Sequence, residues 1–224
     1  MATPRGPDGR LGDRYLLALA LIVVTIIAYT ASGDGGVGQI FVVVLQGMTV
    51  LVIFRASIVS ARMFRIVAVL VIVSVVATVL SVATDSRTAG AGLAGALLAF
   101  VAPIAIARRM RSHLRIDLTT VTATLCIYLL VGLFFAHVFG VIDIVDGPFF
   151  VQPGAGSAID FVYFSFTTLT TLGYGDLTAR LDLGRMLAII EALIGQLYLV
   201  SVVALVVGNL GRTRRSATDE GLSE

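Results

Sequence analysis

The chain has 224 residues, of which 58% are hydrophobic, a mean hydropathy of +1.00 and a formal net charge of +2. This composition excludes an ordinary soluble domain and predicts an all-α membrane protein with several spanning helices. One cysteine excludes an intrachain disulfide. The sequence shows no nucleophile–base pair or phosphate-binding loop, so we expect no enzyme, no organic cofactor and no nucleic-acid partner.

Six apolar segments each approach the roughly 20 residues that a bilayer core requires. In chain order they are residues 14–32, 37–54, 63–84, 89–106, 118–142 and 186–210. A seventh segment, residues 158–170, is too short to span. It fits a re-entrant helix, which is tolerated at membrane depth where protein buries it.

The arginines orient these spans. With the N-terminus inside, thirteen of the 16 basic residues fall on the cytoplasmic side, and only Arg87, Arg180 and Arg185 fall outside. This asymmetry predicts a multi-pass protein of the plasma membrane with both termini in the cytoplasm. It divides the chain into a cytoplasmic N-terminus, a four-helix domain, a cytoplasmic linker, a two-span domain and a short cytoplasmic tail (residues 1–13, 14–107, 108–117, 118–211 and 212–224).

The fourth span is rich in glycine and alanine, which permit close helix packing in lipid, and Pro103 is expected to kink it. Four arginines follow in the linker: Arg108, Arg109, Arg111 and Arg115. They predict either an interfacial segment on anionic lipid or only the positive-inside signal.

A six-residue sequence, T-L-G-Y-G-D, begins at Thr171 after the re-entrant segment. Backbone carbonyls can replace the water shell of a dehydrating cation if they all point inward from an extended chain. Gly173 and Gly175 supply the unusual φ/ψ values that this requires, and the Thr171 hydroxyl can add the innermost ligand. Leu172 and Tyr174 are expected to point away from the ion and pack behind the loop.

With two threonines before it, an aromatic pair upstream and a long apolar helix on each side, this motif resembles the selectivity filter of the potassium channel superfamily. Residues 118–210 resemble its helix–pore loop–helix module, and the whole chain resembles a bacterial six-span channel with one pore loop. The resemblance implies that K⁺ is the permeant ion. Thr171, Leu172, Gly173 and Tyr174 would bind it and Gly175 would complete the filter. One motif per chain cannot close a ring, which implies a homotetramer.

The same resemblance implies residues that support the filter. The aromatic pair is Tyr163 and Phe164, and the Tyr163 hydroxyl either binds Asp176 or only packs with its neighbours. Thr167 stands where some relatives have a glutamate, so that brace is missing here. Thr170 ends the pore helix, whose C-terminal dipole favours a cation in the central cavity.

The sixth span contains an ionisable residue and a glycine. Glu191 is expected to form a hydrogen bond behind the filter, with Thr168 or Ser165, and a protonated form would suit that position. Gly195 falls where the family often has a glycine hinge. Close packing against the pore helix is the alternative.

Further along the same span, Leu199, Val203 and Val207 share one helical face. We expect them to form an apolar inner gate, unless this stripe packs against the outer helix.

The first four spans resemble a voltage-sensor domain that has degenerated. Voltage sensing requires arginines at every third position across the fourth span, and residues 89–106 contain none. We therefore expect little intrinsic voltage dependence. The sequence predicts passive, potassium-selective conduction. The alternatives are a weakly selective cation channel and a non-conducting subunit that regulates another channel.

Overall fold

The computed structural model describes residues 7–31, 36–57, 61–84, 89–110 and 118–221. They form seven helices: α1 (Pro7–Ala31), α2 (Gly36–Ala56), α3 (Ala61–Ala83), α4 (Ala89–Met110), α5 (Leu118–Asp146), α6 (Ala158–Leu169) and α7 (Asp182–Gly221). No strand occurs in these ranges, and one isolated antiparallel bridge joins Phe150 to Ala179. The prediction of an all-helical protein is therefore confirmed.

Within the described ranges, five helices are long and apolar enough to cross a membrane, namely α1, α2, α3, α5 and α7. The apolar part of α4, Gly92–Arg108, is shorter, so a sixth span stays a prediction. Helix α6 has 12 residues, too few to span, as the sequence predicts for the re-entrant segment.

Several helices extend past their predicted spans, because hydropathy marks only the apolar part of a helix. Helix α1 begins at Pro7, α4 continues to Met110 and α5 continues to Asp146. Helix α7 begins at Asp182, whose carboxylate suits the positive end of the helix dipole.

Helix α5 joins the first four helices to the rest of the chain. Helices α1 to α4 pack in sequence against one another, while α5 packs against α1 and α4 and also contacts α6 and α7. The shared core includes Ile22 of α1, Phe54 of α2, Leu98 of α4 and Leu130 of α5.

A polar contact crosses the boundary between the four-helix bundle and α5. The amide nitrogen of Gln46 donates to the carbonyl oxygen of Gly95 at 3.4 Å, and its Oε1 lies 3.0 Å from Nε2 of His137. Because the Gln46 oxygen is an acceptor, His137 carries the hydrogen on Nε2. A Cβ on Gly95 would lie 2.7 Å from the His137 ring, so only glycine lets the ring approach α4.

Aromatic side chains fix α6 against α5. Phe139 of α5 lies 4.9 Å from Phe149 and 5.3 Å from Phe164 between ring centroids. Phe150 and Phe161 extend this cluster with centroid distances of 5.2–5.5 Å. Ring pairs of this kind stabilise packing beyond the area that they bury, so the start of α6 is rigidly positioned.

Candidate functional site: the loop between α6 and α7

The first turn of α6 is closed by a capping box. Ser157 is the N-cap and accepts from the backbone N–H of Asp160, whose carboxylate accepts from the N–H groups of Ser157 and Gly156, both at 2.9 Å. Partial burial works to raise the pKa of Asp160, but these hydrogen bonds outweigh burial, so its pKa lies below the ordinary value. The carboxylate also suits the positive end of the α6 dipole.

At its other end, α6 passes directly into the T-L-G-Y-G-D loop. Thr170 is the C-cap, with φ −81° and ψ −2°. Gly173 and Gly175 have φ values of +50° and +81°, the left-handed region that glycine adopts without strain. Thr171 has φ +59°, alone among the described non-glycine residues, so the backbone is strained where the loop begins.

Two carbonyl groups in the last turn of α6 hold the loop, and that of Thr168 accepts from the backbone N–H of Thr171 at 2.9 Å. The oxygen of Thr167 accepts from the backbone N–H of Leu172 at 2.9 Å and of Gly173 at 3.1 Å. The sequence singled out Thr167 only for its side chain, which donates to Phe164 O at 3.0 Å. Its backbone is what binds the loop.

In a single chain the loop is open to its surroundings. Every residue from Thr170 to Asp176 is exposed. Leu172 is 57% and Tyr174 67% exposed, although the Tyr174 ring stacks parallel on Tyr163 at 6.3 Å. A Cβ on Gly173 or Gly175 would meet nothing within 4 Å, so backbone conformation rather than crowding accounts for these two glycines.

The two aromatic residues of α6 have different environments. The Tyr163 hydroxyl donates to Asp176 Oδ2 at 2.8 Å and so joins α6 to the far end of the loop. That bond to a carboxylate raises the pKa of Tyr163. Phe164 is buried in the aromatic cluster.

The segment after the loop is tied to the segment before α6. The N–H of Arg180 donates to Phe149 O at 2.8 Å, and the N–H of Val151 donates to Thr178 O at 3.0 Å. The Arg180 guanidinium also donates to Pro148 O at 2.8 Å. Both ends of the loop are therefore anchored.

Helix α7 contacts α6 through Glu191, which is 0% exposed. Its Oε1 lies 2.5 Å from Oγ of Ser165, one of the two partners that the sequence suggests. The same Ser165 oxygen lies 2.7 Å from the carbonyl oxygen of Gly132 in α5. Glu191 thus lies where α5, α6 and α7 meet.

Gly195 lies one turn further along α7. A Cβ there would overlap the carbonyl oxygen of Leu169 and reach within 2.9 Å of its Cδ1. Close packing accounts for this glycine without a hinge. A hinge at Gly195 stays a prediction.

Two tyrosines that the sequence did not single out also connect α5, α6 and α7. The Tyr128 hydroxyl donates to Leu169 O at 3.2 Å, and its ring stacks on Tyr198 at 5.8 Å. The Tyr198 hydroxyl donates to Thr124 O at 2.6 Å. The available signal was a polar hydroxyl in an apolar span, since a buried tyrosine usually has a hydrogen-bond partner.

These contacts fix the rotation of α7. Glu191, Gly195 and Tyr198 recur at i, i+4 and i+7 and face α6 and α5. Leu199 lies at the edge of that face and is 39% exposed. Val203 and Val207 belong to α7, but their side chains lie outside the described residues, so the inner gate stays a prediction.

The arginines after the fourth span are described only in part. Arg108 is exposed in the last turn of α4, and Arg109 lies in the same helix. Arg111 and Arg115 lie outside the described residues, so a lipid contact by these four side chains stays a prediction.

Residues 123–211 match the family model described as "Ion channel". This range begins in α5, includes the loop and ends in α7, and it covers about two fifths of the chain. No curated protein and no solved structure matched the chain. Together with the five apolar helices, the match supports an ion channel superfamily, ion conduction in general and a membrane-embedded protein.

Proposed function

We propose that the protein conducts potassium ions selectively and passively, and that Thr171–Gly175 form its filter. The observation that carries this proposal is the backbone of the loop. Gly173 and Gly175 adopt left-handed φ values directly after α6, and the Thr167 carbonyl binds two loop N–H groups. A chain constrained in this way can present successive carbonyl oxygens to a cation.

The choice of potassium rests on the chemistry of the loop. Carbonyl oxygens replace the hydration shell of K⁺, and the proposed ligands are Thr171, Leu172, Gly173 and Tyr174. The negative end of the α6 dipole, at Thr170, would favour a cation beneath the filter. The Gly-Tyr-Gly sequence favours potassium over a weakly selective pore.

A homotetramer would supply the four loops that a closed ring of ligands needs. One apolar face of α7 supports this assembly. Ile189, Leu193, Leu197 and Val200 recur at helical spacing opposite the face that contacts α6, and each is more than half exposed. Neighbouring chains would cover this face around a central pore.

A reversal potential tests the proposal. The purified protein would be placed in liposomes with potassium on one side and sodium on the other. We expect reversal near the potassium equilibrium potential, and loss of current in Gly173→Asp because a charged side chain at positive φ disrupts the loop. The matched control is Gly154→Asp, which places the same residue at φ +81° in an open part of the segment between α5 and α6.

Other outcomes would contradict the proposal. Reversal near zero would show a weakly selective cation channel. Absence of current from assembled protein, across voltage, pH and lipid composition, would favour a subunit that regulates another channel. Steep voltage dependence arising in α1–α4 would overturn the expectation drawn from the arginine-free fourth span.

A further inference from the structure

Three oxygen atoms form a buried chain across the helices on either side of the loop. Glu191 Oε1 in α7 is 2.5 Å from Ser165 Oγ in α6, which is 2.7 Å from the carbonyl oxygen of Gly132 in α5. Glu191 and Ser165 are both 0% exposed. Both side chains are therefore shielded from bulk solvent.

Counting hydrogens determines the direction of these bonds. The carbonyl oxygen of Gly132 carries no hydrogen and can only accept. Ser165 has one hydroxyl hydrogen, so it donates to Gly132 or to Glu191 but not to both. If Glu191 were a carboxylate, one of the two close oxygen pairs would have no hydrogen between its atoms. A hydrogen on Glu191 Oε1 satisfies both contacts.

The second carboxyl oxygen points to the same assignment. Glu191 Oε2 is buried and has no hydrogen-bond partner among the described residues. A carboxylate would leave negative charge on that bare oxygen inside an apolar helix bundle, which is costly unless a cation or several donors surround it. A neutral acid leaves there only an unpaired carbonyl-type oxygen, whose burial costs much less.

We infer that Glu191 is a neutral carboxylic acid that donates to Ser165, which in turn donates to the carbonyl oxygen of Gly132. The bound proton is then a structural ligand that connects α7, α6 and α5. Ser165 lies one turn before Leu169, against which Gly195 packs, so the relay holds α6 next to the residues that anchor the loop. The inference holds whichever ion is conducted.

Infrared spectroscopy of the purified protein tests the protonation state without any need for conduction. The C=O stretch of a protonated carboxyl is separate from the bands of carboxylates. We expect such a band near neutral pH in the wild type, its loss in Glu191→Gln, and a shift in Ser165→Ala because the acid loses its acceptor. Asp182→Asn changes an exposed carboxyl in the same helix and should leave the band intact.

Thermal unfolding then tests the relay. A glutamine amide can donate to Ser165 as the acid does, whereas Glu191→Met fills similar volume without a donor. We expect Glu191→Gln to retain the wild-type Tm, and Glu191→Met and Ser165→Ala each to lower it. The absence of a band that depends on Glu191 would overturn the inference. Equal losses of Tm in Glu191→Gln and Glu191→Met would do the same.

Discussion

Gly195 packs directly beneath the carbonyl oxygen of Leu169, so closely that a Cβ would overlap that oxygen. The obstructing atom belongs to the backbone, and no change of side-chain rotamer can relieve the overlap. The last turn of α6 and the middle of α7 therefore set the distance between the two helices. The position of the loop that begins at Thr171 depends on that distance, because α6 ends at Leu169, the residue that contacts Gly195.

We predict that Gly195→Ala displaces the end of α6, lowers the Tm and impairs selective conduction. Differential scanning fluorimetry and the reversal potential would measure these effects. The double variant Ala192→Gly/Gly195→Ala separates packing from bending, since it returns a glycine to α7 within one turn. If close packing is the reason for the glycine, adding Ala192→Gly should not restore the conduction that Gly195→Ala impairs. Recovery of conduction would instead indicate a hinge.

The hydrogen bond from Tyr128 to Leu169 leads to a second prediction. Tyr128→Phe keeps the ring stack with Tyr198 and removes only the hydroxyl. We expect a loss of about 0.5–1.5 kcal/mol of stability, together with a smaller potassium-to-sodium permeability ratio. Tyr198→Phe is the matched control, because it removes a hydroxyl that binds Thr124 O in α5 and does not contact the Leu169 carbonyl at the end of α6. Equal permeability ratios in the two variants would refute a specific role for Tyr128.

The sequence predicted the helices well because hydropathy and glycine placement are local signals. The start of α6 at Ala158 and of α5 at Leu118 agree with the predicted segments. The tyrosine contacts between α5, α6 and α7 were not predictable in this way. Tyr128 and Leu169 are 41 residues apart, and no spacing rule connects positions on different helices.

Glu191 and Gly195 illustrate which contacts between helices the sequence could not establish. Glu191 was conspicuous as an ionisable residue in an apolar span, but the chain of contacts from Glu191 to Ser165, and from Ser165 to the carbonyl oxygen of Gly132, depends on how three helices meet. The role of Gly195 was ambiguous between a hinge and a packing contact, since both need a glycine. The structure accounts for this glycine by packing, because a Cβ at position 195 would overlap the carbonyl oxygen of Leu169.

The bond between Tyr163 and Asp176 predicts a titration at alkaline pH. The carboxylate raises the pKa of Tyr163 above its ordinary 10.0. The bond is therefore intact below pH 10.0 and is lost as pH rises through the raised folded-state pKa. Phenolate absorbance, compared between wild type and Tyr163→Phe, would isolate this ionisation. Asp176→Asn should move it to lower pH, and an unchanged midpoint would contradict the coupling.

The capping box at the start of α6 predicts an effect at acid pH. The pKa of Asp160 lies below its ordinary 3.8, so its contribution is present above pH 3.8 and is lost as pH falls through the lower folded-state pKa. Asp160→Asn should remove this acid dependence of the Tm. Ser157→Ala should cost about 0.5–2 kcal/mol at neutral pH. Ser201→Ala, which removes an exposed bond within α7, should cost much less.

The contact between Gln46 and His137 predicts a coupling across the boundary between the four-helix bundle and α5. Gln46→Leu leaves the His137 Nε2–H without its acceptor, and we expect a loss of about 1–3 kcal/mol. His137→Leu leaves the Gln46 oxygen without a donor, and a similar loss follows. The double variant replaces both polar groups by apolar ones, so it should lose less than the sum of the single changes.

Chemical unfolding of the four proteins in one detergent would give this coupling energy, which we expect at about 0.5–3 kcal/mol. Ser74→Ala is the control, because its buried hydroxyl in α3 has no hydrogen-bond partner among the described residues and its removal should cost little. Additive losses in the double variant would mean that the two side chains do not interact. A coupling energy in this range would show that the two side chains interact across the boundary between the four-helix bundle and α5.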